Sequence, residues 1–191
     1  MGNGFVTESQ AQLGSLTSVP AANYAYAQKF TTPVGCTGAY SFGCWVSSDG
    51  GAQSDFKYGI FTDDAVNANP NALVANSDAV MQCNNANAEK QEHVYDPQPA
   101  LDAETVYWLC VMTEDNTLNW DRIASTGGVT VRKNTGFAYP DFPTPTNWDA
   151  AGDRTDNMGF WVVYTSGEPP ASILPLVGFG TLGGNCNPMM G

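Results

Sequence analysis

Five short stretches of the chain, each about one β-strand long, are rich in apolar residues, and in several of them the apolar residues occupy alternate positions. A period of two places every second side chain on the same face of a strand. Residues that favour turns separate the stretches, and no run of about ten residues has a convincing helical pattern. The pattern predicts an all-β chain folded as a single antiparallel β-sandwich. The five stretches are Tyr24–Thr31, Ala39–Val46, Asp55–Thr62, Val106–Thr113 and Met158–Thr165.

Two of these stretches also predict which side chains are buried. Tyr40, Phe42, Cys44 and Val46 alternate along the second stretch, so we expect them to share one face. Val106–Met112 is apolar at nearly every position, which predicts a strand that is buried on both faces.

Between the third and fourth stretches the sequence predicts loops and short elements. Thr62–Asn71 is rich in Asp, Asn and Pro and predicts a surface loop. A short strand is expected at Leu73–Ala75, a polar turn at Gln82–Asn87 and a polar strand at Glu89–Tyr95. Later in the chain, Val129–Lys133 predicts another short strand.

The length of 191 residues fits one domain, here residues 24–166, between two arms. Residues 1–23 predict an extended N-terminal arm, and residues 167–191 predict a Gly- and Pro-rich apolar C-terminal arm. The C-terminal arm either packs on its own domain or docks on another subunit. Its candidate interface residues are Ile173, Leu174, Leu176, Val177, Phe179 and Leu182.

The charge balance restricts the partners of the protein. Nineteen acidic residues against seven basic ones give a net charge of -12, which repels nucleic acid and anionic membranes. Acidity that keeps an abundant protein soluble is the simplest interpretation, with calcium or a basic partner as alternatives. No apolar run reaches the roughly 18 residues of a membrane helix, and the first residues lack a signal-peptide pattern, so we expect a signal that was removed or never used.

Five cysteines at irregular spacing, without a C-x-x-C pair, do not predict a zinc site. Cys44 and Cys110 lie inside predicted strands and are expected to be core thiols. Cys36 and Cys83 lie near turns and are better disulfide candidates. The sequence leaves the pairing open, Cys186 included.

The sequence contains few candidate sets of catalytic residues. His93 is the only histidine, so triad chemistry would depend on it, and an exposed structural role is the preferred interpretation. Asp102 with Glu104, or Glu114 with Asp115, could be nominated as paired carboxylates. Acids that are close in sequence are more simply solvated loop residues, and we predict that the protein is not an enzyme.

One loop offers oxygen ligands suited to calcium. Asp63 and Asp64 precede Asn67, Asn69 and Asn71, and carboxylate and amide oxygens are hard ligands. The spacing is not that of an EF-hand, so ordinary turn chemistry is the preferred interpretation and a structural calcium ion the alternative.

Four aromatic residues are predicted to lie in loops or at loop edges. They are Trp120, and Tyr139, Phe142 and Trp148 of the loop at residues 136–152. Aromatic side chains in loops can cover the ends of a sandwich, anchor a protein interface or stack on sugars. All three interpretations stay open.

Four segments together resemble a recurring jelly-roll-type β-sandwich. The segments are Tyr26–Thr31, Phe56–Asp64, Ala72–Ser77 and Leu101–Leu109. Sandwiches of this type occur in bacteriophage structural and tail-associated proteins and in bacterial surface adhesion or carbohydrate-binding modules. The resemblance implies a noncatalytic module and carries over no ligand residues.

The arms and the resemblance together lead to an expected function. We expect a structural or decoration protein of a phage-like virion or extracellular assembly, bound to copies of itself or to other particle or surface proteins. A secreted or cell-surface carbohydrate-binding or adhesion module, with glycans as partners, is the alternative, and a hydrolase is the third class.

Overall fold

The computed structural model describes residues 4–6, 15–18, 24–48, 51–87, 89–114, 116–123, 131–134, 137–144, 148 and 157–167. These residues form two antiparallel sheets packed face to face, which confirms the predicted all-β sandwich. The strands are β1 (Gly4–Val6), β2 (Ser15–Ser18), β3 (Ala25–Thr31), β4 (Cys36–Ser48), β5 (Ser54–Asp64), β6 (Asn69–Leu73), β7 (Ala79–Cys83), β8 (Glu89–Val94), β9 (Val106–Thr113), β10 (Leu118–Ile123), β11 (Val131–Asn134), β12 (Asn157–Met158) and β13 (Phe160–Ser166).

The chain passes repeatedly between the two sheets. Sheet I runs β1-β13-β4-β10-β12, with β2 paired to β10 and β8 paired to β4. Sheet II runs β11-β3-β9-β5-β6, with β7 paired to β5. The five long predicted stretches all coincide with strands, and only the last is interrupted, at Gly159 between β12 and β13.

The main core lies between the two sheets and is rich in aromatic rings. Phe42 of sheet I stacks on Tyr58 of sheet II with ring centroids 4.3 Å apart. Cys44 and Val46 are also buried in this core, as the alternation predicts. Tyr40 is 43% exposed, so the prediction that it shares their face is wrong. The register explains the difference, since Val163 pairs with Ser41 and Tyr164 with Ala39, and this bulge leaves Tyr40 outside the ladder.

The expected surface loop at Thr62–Asn71 is mostly strand. β5 continues to Asp64, β6 begins at Asn69, and only a four-residue turn at 65–68 joins them. Asp64 accepts backbone hydrogen bonds from Val66 and Asn67 inside this turn. The turn-forming residues therefore define a tight hairpin, and ladder pairing overrides their poor strand propensity beyond it.

Two other predicted boundaries are also wrong. The strand expected at Leu73–Ala75 ends at Leu73, and the polar turn expected at Gln82–Asn87 begins only after Cys83. β6 and β7 pair with successive halves of the same edge of β5, so the break between them falls at residues 74–78.

Ser77 bridges this break in the edge of sheet II. Its Oγ accepts a hydrogen bond from the Ile60 N–H and donates one to the Ile60 carbonyl, both at 3.0 Å. The Tyr95 hydroxyl donates to the Ser77 carbonyl at 3.0 Å. Because Tyr95 directly follows β8 of sheet I, Ser77 also links the two sheets.

The described part of the expected N-terminal arm belongs to sheet I. β1 pairs with β13, with Phe5 opposite Val162, and β2 pairs with β10, with Thr17 opposite Trp120. The C-terminal arm and its candidate interface residues lie outside the described residues.

The four described cysteines are all buried thiols. Cys44 and Cys110 occupy the core positions predicted for them, and burial raises the pKa of both thiols well above its ordinary value. Cys36 and Cys83 are also buried and free, so their nomination as disulfide candidates is wrong. Cys36 begins β4 and Cys83 ends β7, and both side chains point into the core although a turn is adjacent to each. Cys186 lies outside the described residues.

Candidate interaction surface

The aromatic loop covers the outer face of sheet II. Phe142 meets the ring of Phe61 edge to face, with centroids 5.0 Å apart. Gly59 permits this approach, because a Cβ at Gly59 would lie 3.2 Å from the Phe142 ring. Trp148 is only 5% exposed and packs in the same cluster as Phe61 and Trp108. Phe142 and Trp148 thus form a second, smaller core on this face.

Lysine side chains border this second core. Lys29 lies 5.5 Å from the centroid of the Trp108 ring and 3.3 Å from the Asp63 carboxylate. The Trp108 indole N–H donates to Asp63 Oδ1 at 2.6 Å. Lys57 lies 5.0 Å from the Phe142 centroid in the same way. Each ammonium group therefore lies within cation–π distance of an aromatic ring of this cluster.

Tyr139 lies at the partly buried end of the same loop. Desolvation raises the pKa of its hydroxyl to about 12, and the nearby carboxylates of Asp55 and Glu114 act in the same direction. The hydroxyl therefore stays protonated at neutral pH and packs with the loop as a neutral group.

Trp120 does not lie in a loop. It belongs to β10, is fully buried and meets the rings of Phe56 and Phe160 edge to face, at 5.1 and 5.8 Å between centroids. The alternation of Leu118, Asn119 and Trp120 was the available sequence signal for this strand. Because the indole is inside the main core, it cannot contact a ligand or a partner in the folded protein.

The two aspartates of the proposed calcium loop bind different protein groups. Asp63 accepts from Trp108 and pairs with Lys29. Asp64 Oδ2 accepts from the Asn67 side chain at 2.7 Å, and this bond, with the amide of Val66, lowers the pKa of Asp64. Among the described residues no three His, Cys, Asp or Glu side chains are grouped as metal ligands. The calcium ion stays an untested alternative; hydrogen bonds within the turn engage the carboxylate of Asp64, while that of Asp63 binds Trp108 and Lys29.

His93 and the nominated acids belong to different elements of the fold. His93 is half-buried rather than exposed, with its ring 5.7 Å from that of Tyr58 and 5.6 Å from that of Tyr95. Asp102 and Glu104 are exposed around the turn before β9. Glu114 is exposed as well, and Asp115 lies outside the described residues. His93 thus has an aromatic packing role.

The outer face of sheet I carries a group that the sequence reasoning missed. The Trp161 indole lies directly over Gly43, where a Cβ would overlap the ring. Trp45 lies beside it, with ring centroids 6.3 Å apart, and Lys90 lies 5.1 Å from the Trp161 centroid. Glu92 pairs with Lys90 at 2.8 Å. The alternation of Gly43 and Trp45 opposite the core residues was the available signal.

Glu92 is held in its ionised form by its neighbours. Partial burial alone would raise its pKa, but hydrogen bonds from Lys90 and Ser41 and the charge of Lys90 outweigh it, so the pKa of Glu92 is lowered. The Ser41 hydroxyl donates to Glu92 Oε1 at 2.7 Å. Lys90 and Glu92 therefore form an ordered pair of opposite charges on β8.

Within the described part of the chain, β8 pairs with β4 and with no other strand. Its register against β4 is continuous from Ser41 opposite Val94 to Val46 opposite Glu89. By contrast, β6 contains Pro70 and has an irregular register against β5. β8 thus presents a regular, proline-free edge, which is the kind of edge that pairs with another strand.

Two comparisons with known proteins gave no match. No protein-family model matches the sequence, and no curated protein matches it significantly. Within the described residues no helix is long and apolar enough to cross a membrane.

Proposed function

We propose that the protein is a noncatalytic structural or decoration subunit of a phage-like particle or an extracellular assembly. It joins copies of itself, or neighbouring particle or surface proteins, through sheet edges and terminal segments. The proposal rests on how the N-terminal strands attach to the sandwich.

β1 and β2 extend sheet I by backbone pairing along β13 and β10. Backbone pairing depends little on side-chain identity, so the same strands can complete the sheet of a second copy. Each strand is short, at three and four residues, so either attachment is weak alone and several together would be needed. This is the arrangement expected of a subunit that is ordered by its neighbours.

A carbohydrate-binding function, the alternative, could not use Trp120 or Trp148 as sugar-stacking residues. Trp120 is in the main core, and Trp148 is buried against sheet II. Neither indole offers an open face to a sugar. A glycan site would have to use other, more exposed aromatic residues, and the assembly function is the better supported of the two.

Size-exclusion chromatography with light scattering tests the proposal. We expect the full chain to self-associate as its concentration rises and to bind particle or surface fractions from its source. Deletion of residues 1–18 should weaken both, and circular dichroism must confirm that the deleted protein retains its strands. A full chain that stays monomeric at high concentration and binds no such fraction would refute the proposal.

The C-terminal arm gives a second test of the same proposal. Truncation after Gly167 should leave a folded β-sandwich with cooperative melting, but weaken self-association or attachment. If the truncated chain unfolds, residues 168–191 belong to the core of their own domain and the arm hypothesis is wrong.

A further inference from the structure

We propose that the edge of β8 pairs with β8 of a second copy of this chain about a two-fold axis at Gln91. This inference rests on the proposed assembly function and names one of its contacts. It concerns the charged sequence of β8, Glu89-Lys90-Gln91-Glu92-His93-Val94.

The charge pattern of β8 is complementary to itself. When two copies run antiparallel with Gln91 opposite Gln91, Lys90 of each copy stands opposite Glu92 of the other. Glu89 then stands opposite His93. Opposite charges at directly paired positions stabilise antiparallel strands, and like charges at such positions destabilise them. Two copies in this register therefore place attractive pairs on both sides of the axis.

The positions of the side chains suit this contact. Lys90 pairs in register with Trp45 of β4, so Lys90 and Glu92 lie on the outer face of sheet I. Their side chains are 51% and 30% exposed, and each could add a partner across the axis to the one it has. Val94 lies on the same face, is 49% exposed and would be covered at either end of the contact.

The backbone of β8 already has the extended conformation that pairing with a second strand requires. Its regular ladder with β4 fixes an extended conformation, so little further ordering is needed when a second strand is added. A two-fold contact of this kind closes after two copies, because each edge is used once. It would join two copies of sheet I into one continuous sheet.

Two charge-reversal variants test the contact. Lys90→Glu makes both paired positions acidic, and Glu92→Lys makes both basic, so each variant alone should self-associate about tenfold or more weakly than the wild type. A mixture of the two variants should restore association, because each acid then faces a base. Sedimentation velocity at matched concentrations, with thermal melts of each variant, provides the measurement.

The control is Asp102→Lys, which changes the net charge as Glu92→Lys does but lies outside β8, in the exposed turn before β9. It should leave association unchanged. Recovery in the mixture also excludes misfolding as the cause of the loss in each variant. If the single variants associate like the wild type, or the mixture fails to recover, the β8 contact is refuted. The assembly proposal would survive that result if deletion of residues 1–18 still weakens association.

Discussion

Ser77→Ala should destabilise the sandwich more than its small change in volume implies. Ser77 is fully buried, and its hydroxyl bonds both the N–H and the carbonyl of Ile60 at the break between β6 and β7, on the edge of β5 that faces away from β9. The Ile60 carbonyl keeps a hydrogen bond from the Val74 amide at 2.8 Å. The Ile60 N–H would have no replacement partner in the described structure.

The expected loss of stability depends on the difference between these two groups, because the Ile60 N–H loses its partner while the Ile60 carbonyl keeps the bond from Val74. An unsatisfied buried donor costs about 1–3 kcal/mol, and the lost bond to the carbonyl adds about 0.5–1 kcal/mol. We therefore expect the free energy of unfolding to fall by about 1.5–4 kcal/mol. For a chain of this length that corresponds to a fall in Tm of roughly 3–16 °C.

Urea unfolding followed by tryptophan fluorescence measures this change. The matched control is Ser47→Ala, because Ser47 is also buried but its hydroxyl has no hydrogen-bond partner among the described residues. That control should be neutral or slightly stabilising. Tyr95→Phe removes the hydroxyl that donates to the Ser77 carbonyl and should cost about 1 kcal/mol. The reasoning is refuted if Ser77→Ala loses no more stability than Ser47→Ala.

Three further predictions concern single side chains. Gly43→Ala should displace the Trp161 indole and cost about 1–3 kcal/mol, visible in thermal melts and near-ultraviolet circular dichroism, and an unchanged spectrum would contradict the packing described. Trp120→Ala should lower the free energy of unfolding by about 3–5 kcal/mol, so any loss of binding in this variant should track loss of folded protein in urea titrations. Ser41→Ala should raise the pKa of Glu92 in a carboxyl NMR titration, because the Ser41 hydroxyl donates to the ionised form. Since the pKa of Glu92 is lowered on folding, its contribution to stability is present above its unfolded pKa and is lost as the pH falls through its folded pKa.

The sequence was sufficient to predict the long strands but not all of the side-chain positions. The alternation in β4 correctly placed Phe42 and Cys44 in the core, because one buried face imposes a period of two. It misplaced Tyr40, because the bulge opposite β13 is a property of the pairing between two distant segments. No local pattern could have located that bulge.

The candidate site was harder to predict than the fold. Trp120 was assigned to a loop because its strand is short and polar at alternate positions. Trp148 and Phe142 were correctly placed in a proline-rich loop, but the surface they cover depends on tertiary packing against Phe61. The complementarity of Lys90 and Glu92 becomes visible only when β8 is known to be an open edge of sheet I.

The cover over sheet II has a consequence for the order of unfolding. The central strand β9 of sheet II is shielded from water on both faces, by sheet I on one side and by the cluster that contains Phe142 and Trp148 on the other. The described part of the covering loop contacts sheet II through aromatic packing, whereas β9 lies between β3 and β5 in continuous ladders. We therefore expect amide protons of β9 to be the slowest to exchange with deuterium. We also expect detachment of the loop to occur as a separate, lower-energy opening that exposes Trp108 before the two sheets separate.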